Sequence, residues 1–156
     1  MTMPQIGDTA PAFSLPDQDG VVHTLAEVAG KWTLLYFYPK DATPGCTVEA
    51  QTIRDAWPDF TGSNIVVFGI SADSVASHKK FADKQGLPFT LLADEEKNMV
   101  SAYGVWGKKK MMGREYDGIF RTSFLVAPDG TIAKIYEEVK PSEHAAQVLR
   151  DVTELA

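Results

Sequence analysis

The run Trp32-Thr-Leu-Leu-Tyr-Phe-Tyr38 constrains this chain most. It is almost continuously apolar and rich in aromatics, the pattern of a strand buried on both faces of a sheet rather than one face washed by water. Pro39 ends it. Ile65-Val-Val-Phe-Gly-Ile70 is a second run of this kind. Between the two, Cys46, Ala50, Ile53 and Trp57 recur at i, i+4, i+7 and i+11, one stripe at the helical period, with Pro58 as a break. Residues 75–85 form another amphipathic segment, with Ser74 as N-cap and Gly86 as stop.

Residues 12–24 read as a hairpin turning at Asp19-Gly20, and Thr24 with Glu27 has the spacing of a capping box that opens one helical turn, stopped by Gly30. Downstream, the sequence predicts a short strand over 89–92 and a helix over 95–103 capped by Asp94 and ended by Gly104. A loop over 105–118 follows, then strands over 119–126 and 131–136 joined at Pro128-Asp129-Gly130, and a C-terminal helix opened by Ser142 and Glu143. Alternating β and α units predict helices on both faces of a sheet, and the final hairpin makes that sheet mixed. The expectation is one α/β domain over residues 1–156, thioredoxin-like in layout, with a central mixed sheet and an N-terminal β-hairpin.

Composition narrows the chemistry. Fifteen Lys and Arg against twenty-one Asp and Glu give a formal charge of -6, a field that repels phosphate and anionic lipid, so neither nucleic acid nor membrane is expected as a partner. The first residues carry no basic stretch followed by a long apolar one, and no run approaches a membrane span, which points to the cytoplasm. A single cysteine excludes an intramolecular disulfide, a Cys-rich zinc site and a Cys-x-x-Cys pair. No metal and no cofactor are expected.

That cysteine lies in Pro39-Lys40-Asp41-Ala42-Thr43-Pro44-Gly45-Cys46-Thr47, between the most buried-looking strand and the amphipathic helix, where α/β proteins place ligands. Thr43 then Pro44 is an N-cap followed by a first-turn proline, which sets Cys46 among free backbone N–H groups that favour an anionic sulfur. Gly45 lets the backbone approach a ligand closely. A free cysteine on an apolar stripe is also a common inert core residue. From spacing alone both readings stand: a nucleophilic thiol, or a structural one in a redox-inert thioredoxin-like binding or holdase module.

The segment Tyr36-Phe37-Tyr38-Pro39-Lys40-Asp41-Ala42-Thr43-Pro44-Gly45-Cys46-Thr47-Val48-Glu49 closely resembles the active-site segment of the peroxiredoxins, in particular their bacterioferritin comigratory protein or peroxiredoxin Q branch. Arg121-Thr122-Ser123-Phe124-Leu125-Val126 is similar to that family's arginine strand. Tyr103-Gly104-Val105-Trp106-Gly107 and Gly7-Asp8-Thr9-Ala10-Pro11-Ala12-Phe13 also resemble family segments. The resemblance implies a thiol peroxidase that reduces hydrogen peroxide and organic hydroperoxides. Cys46 would be the attacking thiolate, Thr43 would hydrogen-bond the peroxide, and Pro39 would shield the sulfur from water. Arg121 would hold the anion and the reacting oxygens, and the amides of Gly45 and Cys46 would donate to them.

A thiol of ordinary pKa is roughly 3% ionised at neutral pH, so full ionisation gains only about 30-fold; the rest of a fast rate must come from donors such as Arg121 and Thr43. Many members of the branch carry a resolving cysteine five residues after the first, where this chain has Gln51. The resemblance therefore implies an external thiol reductant (thioredoxin, glutaredoxin or a small thiol) acting on a monomer or weak homodimer.

Glu49, three residues after Cys46, reads either as a carboxylate suited to a helix N-terminus or as a residue that orients Arg121 or a neighbouring arginine. His23, His78 and His144 read as surface histidines without ligand spacing. Lys108-Lys109-Lys110 read as a solvated loop, with docking of an acidic reductase as the alternative. Trp106, Met111, Met112 and Tyr116 read as an apolar rim to the site or as cover for the core.

Overall fold

A computed structural model describes residues 3–156, apart from the Met111 side chain. Its centre is a five-stranded mixed sheet of β3 (Trp32–Phe37), β4 (Ile65–Ser71), β5 (Thr90–Ala93), β8 (Thr122–Val126) and β9 (Ile132–Tyr136), in the order β5-β4-β3-β8-β9. β3 runs parallel to β4 and β4 to β5, while β8 is antiparallel to both β3 and β9. The apolar run of β3 thus occupies the middle of the sheet, and successive residues point to opposite faces. Leu34, Tyr36 and Tyr38 pack with Cys46, Ala50, Ile53, Phe60, Phe81 and Val148 on one side. Leu35 and Phe37 pack with Phe68, Met99, Val100 and Tyr103 on the other.

The first face is covered by α1 (Pro44–Asp55), α2 (Trp57–Gly62), α3 (Val75–Gln85) and α5 (His144–Leu155); the second by α4 (Asn98–Ala102) and the N-terminal segment. That segment carries the expected hairpin, β1 (Ser14–Pro16) with β2 (Val22–Thr24), then a 3-10 turn over Leu25–Val28. Thr24 N donates to Glu27 Oε1 at 2.7 Å, one half of the capping box. No helix among the described residues is long and apolar enough to cross a membrane.

The expected break at Pro58 is present: α1 stops at Asp55 and Pro58 sits in the first turn of a new helix, α2, where a proline lacks only an N–H that the first turn leaves unbonded. Three expectations need correction. The helix predicted over 95–103 is only Asn98–Ala102, since Lys97 takes a left-handed conformation (φ 64) and the Asp94 carboxylate reaches forward to Val100 N at 2.8 Å. The loop predicted over 105–118 is a second hairpin, β6 (Trp106–Met111) with β7 (Arg114–Ile119). Met112 and Gly113 turn it with φ of 54 and 79, the pair of positive values that a two-residue hairpin turn requires. The strand predicted over 119–126 is accordingly divided, with Phe120 and Arg121 at the break between β7 and β8.

Candidate active site

Pairing within the sheet brings the site together. Phe37 at the end of β3 lies opposite Thr122 at the start of β8, so the 39–43 loop and Arg121 leave the sheet side by side. Pro44 then starts α1 with Thr43 at the N-cap, as the sequence predicts. The first helical hydrogen bond runs from Thr47 N to Thr43 O at 2.9 Å, so the Gly45 and Cys46 amides precede the ladder, next to the sulfur. The Thr43 hydroxyl does not cap the helix; it donates back to Lys40 O at 2.8 Å.

Cys46 is 2% exposed and belongs to the apolar cluster between α1 and the sheet. Burial alone suits an inert thiol, but Arg121 changes its surroundings. Arg121 Nη2 donates to Cys46 Sγ at 3.3 Å and Nη1 to Glu49 Oε1 at 2.7 Å, so one guanidinium spans thiol and carboxylate. Glu49 is thus in direct contact with Arg121. Space for the guanidinium depends on Gly45: a β-carbon there would meet Arg121 Nη2 at 3.1 Å and Pro141 Cγ at 3.9 Å.

Glu49 is fully buried, and its Oε2 has no hydrogen-bond partner among the described residues. Burial pushes its carboxyl up to about 7, against the charge and hydrogen bond of Arg121, which pull it down. As pH rises from 4.5, the unfolded chain releases this proton before the folded one, so stability declines towards about pH 7 and then levels. Glu49→Gln removes the titration. Chemical denaturation at a series of pH values is expected to show the parent losing stability across this window, by up to about 1.4 kcal/mol per unit, and the variant losing less. Equal slopes would show that Glu49 does not titrate there.

The other predicted residues divide. Pro39 lines a cleft of 280 Å³ with Lys40, Trp106, Lys109 and Tyr116, so two of the proposed rim residues do flank the loop. Met112 does not; it is 98% exposed at the hairpin turn. The Met111 side chain lies outside the described residues. The lysine run is a strand rather than a loop: Lys108 and Lys110 stand opposite Asp117 and Glu115 across the hairpin, and Lys110 Nζ lies 4.0 Å from Glu115 Oε1. Lys109 turns inward, donates to Ile119 O at 2.9 Å, and is held below the usual lysine range by burial and by Arg121.

Nor are the histidines ordinary surface residues. His78 and His144 are buried, and His144 Nε2 lies 2.7 Å from Ser123 Oγ, with burial pushing the ring down to about 4. His23 is part-buried between Asp17 and Glu27, at 2.7 Å from each. Their spacing in sequence hides them because each ring is satisfied by a different element of the fold. Among the described residues, Asp41, Asp73 and His78 place metal-capable atoms within 4.8 Å of one another. Each of these side chains is already engaged in hydrogen bonds.

Comparison with known proteins agrees with this geometry. Residues 6–135 match the AhpC/TSA family. The chain is 46% identical to peroxiredoxin Bcp of Escherichia coli (strain K12) over 150 residues, 96% of each protein. It is 41% identical to peroxiredoxin Bcp of Bacillus subtilis (strain 168) over 152 residues, 97% of each. Among solved structures, a PrxQ mutant of Xylella fastidiosa is similar with a TM-score of 0.92 and 34% identity, over 99% of this chain and 98% of that one. The bacterioferritin comigratory protein of Xanthomonas campestris is similar with a TM-score of 0.86 and 36% identity, over 92% and 91%. This chain therefore belongs to the AhpC/TSA family and is a peroxiredoxin of its Bcp/peroxiredoxin Q group.

Proposed function

We propose that the chain reduces hydrogen peroxide and organic hydroperoxides through Cys46 alone, with Arg121, Thr43, Pro39 and the Gly45 and Cys46 amides as its active site. The observation that carries this reading is the Arg121 guanidinium spanning Cys46 Sγ and Glu49. A structural thiol needs no cation beside it. The Xanthomonas campestris relative, whose alkyl peroxide reduction activity has been described structurally, supports extending the substrates to organic hydroperoxides.

In the first step the Cys46 thiolate attacks the terminal peroxide oxygen. An S–O bond forms, the O–O bond breaks, and the alkoxide leaves with a proton as alcohol, or as water from hydrogen peroxide. Charge develops across the breaking bond, where the Arg121 fork and the free amides donate. Pro39 shields the sulfur from water, and Thr43 bonds the incoming peroxide.

Gln51, on α1 five residues after Cys46, bonds Gln85 Oε1 at 2.9 Å and offers no thiol. The sulfenic acid is therefore released by an external thiol, which forms a mixed disulfide and water; a second thiol regenerates Cys46 as the first leaves in a disulfide. Thioredoxin, glutaredoxin or a small thiol supplies these electrons. That need suits the cytoplasm, a reducing compartment. A single-domain monomer or weak homodimer completes this reading.

Turnover of hydrogen peroxide and of an alkyl hydroperoxide with a thiol, against the same mixture without protein, tests the function directly; no acceleration would refute it. With no internal thiol to trap the sulfenic acid, excess peroxide is expected to drive Cys46 on to sulfinic and sulfonic acid. Activity should then be lost irreversibly when thiol is withheld and survive when thiol is present throughout. Full recovery after many equivalents of peroxide alone would show that the site excludes the second oxidant.

A further inference from the structure

The 39–43 loop is held by a buried polar cluster that the peroxide chemistry does not itself use. Asp41 lies in the connection from β3 to α1 yet is buried. Its Oδ1 accepts from the Tyr38 hydroxyl at 2.6 Å, and its Oδ2 accepts from Ser77 Oγ at 2.8 Å and pairs with His78 Nδ1 at 2.7 Å. Its backbone N–H donates to Asp73 Oδ2 at 2.8 Å, and that oxygen also accepts from Ser71 Oγ at 2.6 Å. The far nitrogen of the same ring, His78 Nε2, faces the Leu92 carbonyl at 2.9 Å. β3, β4, α3 and β5 thus converge on one loop residue.

A carbonyl oxygen and a carboxylate only accept, so a ring with a hydrogen on one nitrogen satisfies one of them and a ring with hydrogens on both satisfies both. Burial pushes the Asp41 carboxyl up, but the hydrogen bond and charge of His78, with Tyr38 and Ser77, outweigh it and hold the carboxyl below the usual range. Asp41 and His78 form a buried hydrogen-bonded pair with side chains 4% and 0% exposed.

Buried polar pairs add little net stability over apolar substitutes, but they can enforce a single geometry. The loop has need of that. Ala42, next to Asp41, sits at φ 63, in the left-handed region that alanine disfavours. The Thr43 hydroxyl takes its orientation from Lys40 O in the same loop, so displacement at Asp41 carries through to the group that meets peroxide.

We propose that Asp41 and His78 are positioning residues for peroxide reduction: their buried hydrogen-bonded pair locks the 39–43 loop to α3 and so sets Pro39 and Thr43 against the Cys46 sulfur. This rests on the thiol-peroxidase reading above. His78→Leu and Asp41→Asn, assayed well below their melting temperatures, are expected to slow oxidation of Cys46 by hydrogen peroxide by about 10- to 100-fold. Alkylation of Cys46 by iodoacetamide, which needs the thiol but not the loop, should stay near the parent rate. The double variant should lose no more than the worse single one, as for two residues acting as a unit.

A variant that melts earlier but reacts with peroxide as fast as the parent overturns the proposal, as does an equal loss in both reactions. A parent that does not react with peroxide refutes the peroxidase reading instead. Nitrogen-15 NMR of the parent gives a test that does not depend on any variant folding: His78 Nδ1 should show a hydrogen bond to the Asp41 carboxylate. A His78 Nδ1 without that bond overturns the proposal.

Discussion

Cys46→Ser is expected to abolish peroxide reduction altogether while the protein stays folded. A serine hydroxyl is barely ionised at neutral pH and is a poor nucleophile without an adjacent base. The change is nearly isosteric at a site 2% exposed, and the substituted oxygen can accept from Arg121 as the sulfur does. Loss of turnover with an unchanged circular dichroism spectrum and melting temperature would assign the chemistry to the thiol. Measurable thiol-dependent peroxide consumption by the folded variant would place the reaction elsewhere.

Arg121→Lys is expected to be nearly as damaging although it keeps the positive charge. The guanidinium uses two terminal nitrogens at once, one towards Cys46 Sγ at 3.3 Å and one towards Glu49 Oε1 at 2.7 Å. A lysine has one nitrogen and no planar fork, so serving one partner abandons the other. Glu49, fully buried, would draw the ammonium and leave the reacting oxygens without their donor. Removing one such donor costs on the order of 100- to 1000-fold in comparable electrostatic sites. Stopped-flow rates of Cys46 oxidation measure the effect, and an unchanged rate constant would show that charge without geometry suffices.

The two sites differ in how far the sequence discloses them. β3, β4 and α3 were legible because their signals are local: continuous apolar runs, the Ser74 cap whose Oγ accepts from Ser77 N, and Gly86 in a left-handed C-cap. The β6–β7 hairpin was hidden behind three lysines, whose cross-strand neighbours Asp117, Tyr116 and Glu115 stand opposite them only once the strands pair. Glu49 could be placed one turn from Cys46 by helical spacing. Arg121 could not be placed by spacing, since 75 residues separate it from Cys46; resemblance to a family motif pointed to it, and β3–β8 pairing brings it there. His78 carried no signal at all, because its partners Asp41 and Leu92 lie on other elements, 37 and 14 residues away. Long-range polar satisfaction of this kind is what periodicity cannot register.

The most direct test of the central claim is intact-mass and peptide mapping of the reduced protein after one equivalent of hydrogen peroxide, with and without a sulfenic-acid trap. One added oxygen, confined to the peptide bearing Cys46, captured by the trap and removed by subsequent thiol, is the predicted result. An unmodified Cys46, or oxygen found on methionine while the thiol remains free, would contradict it.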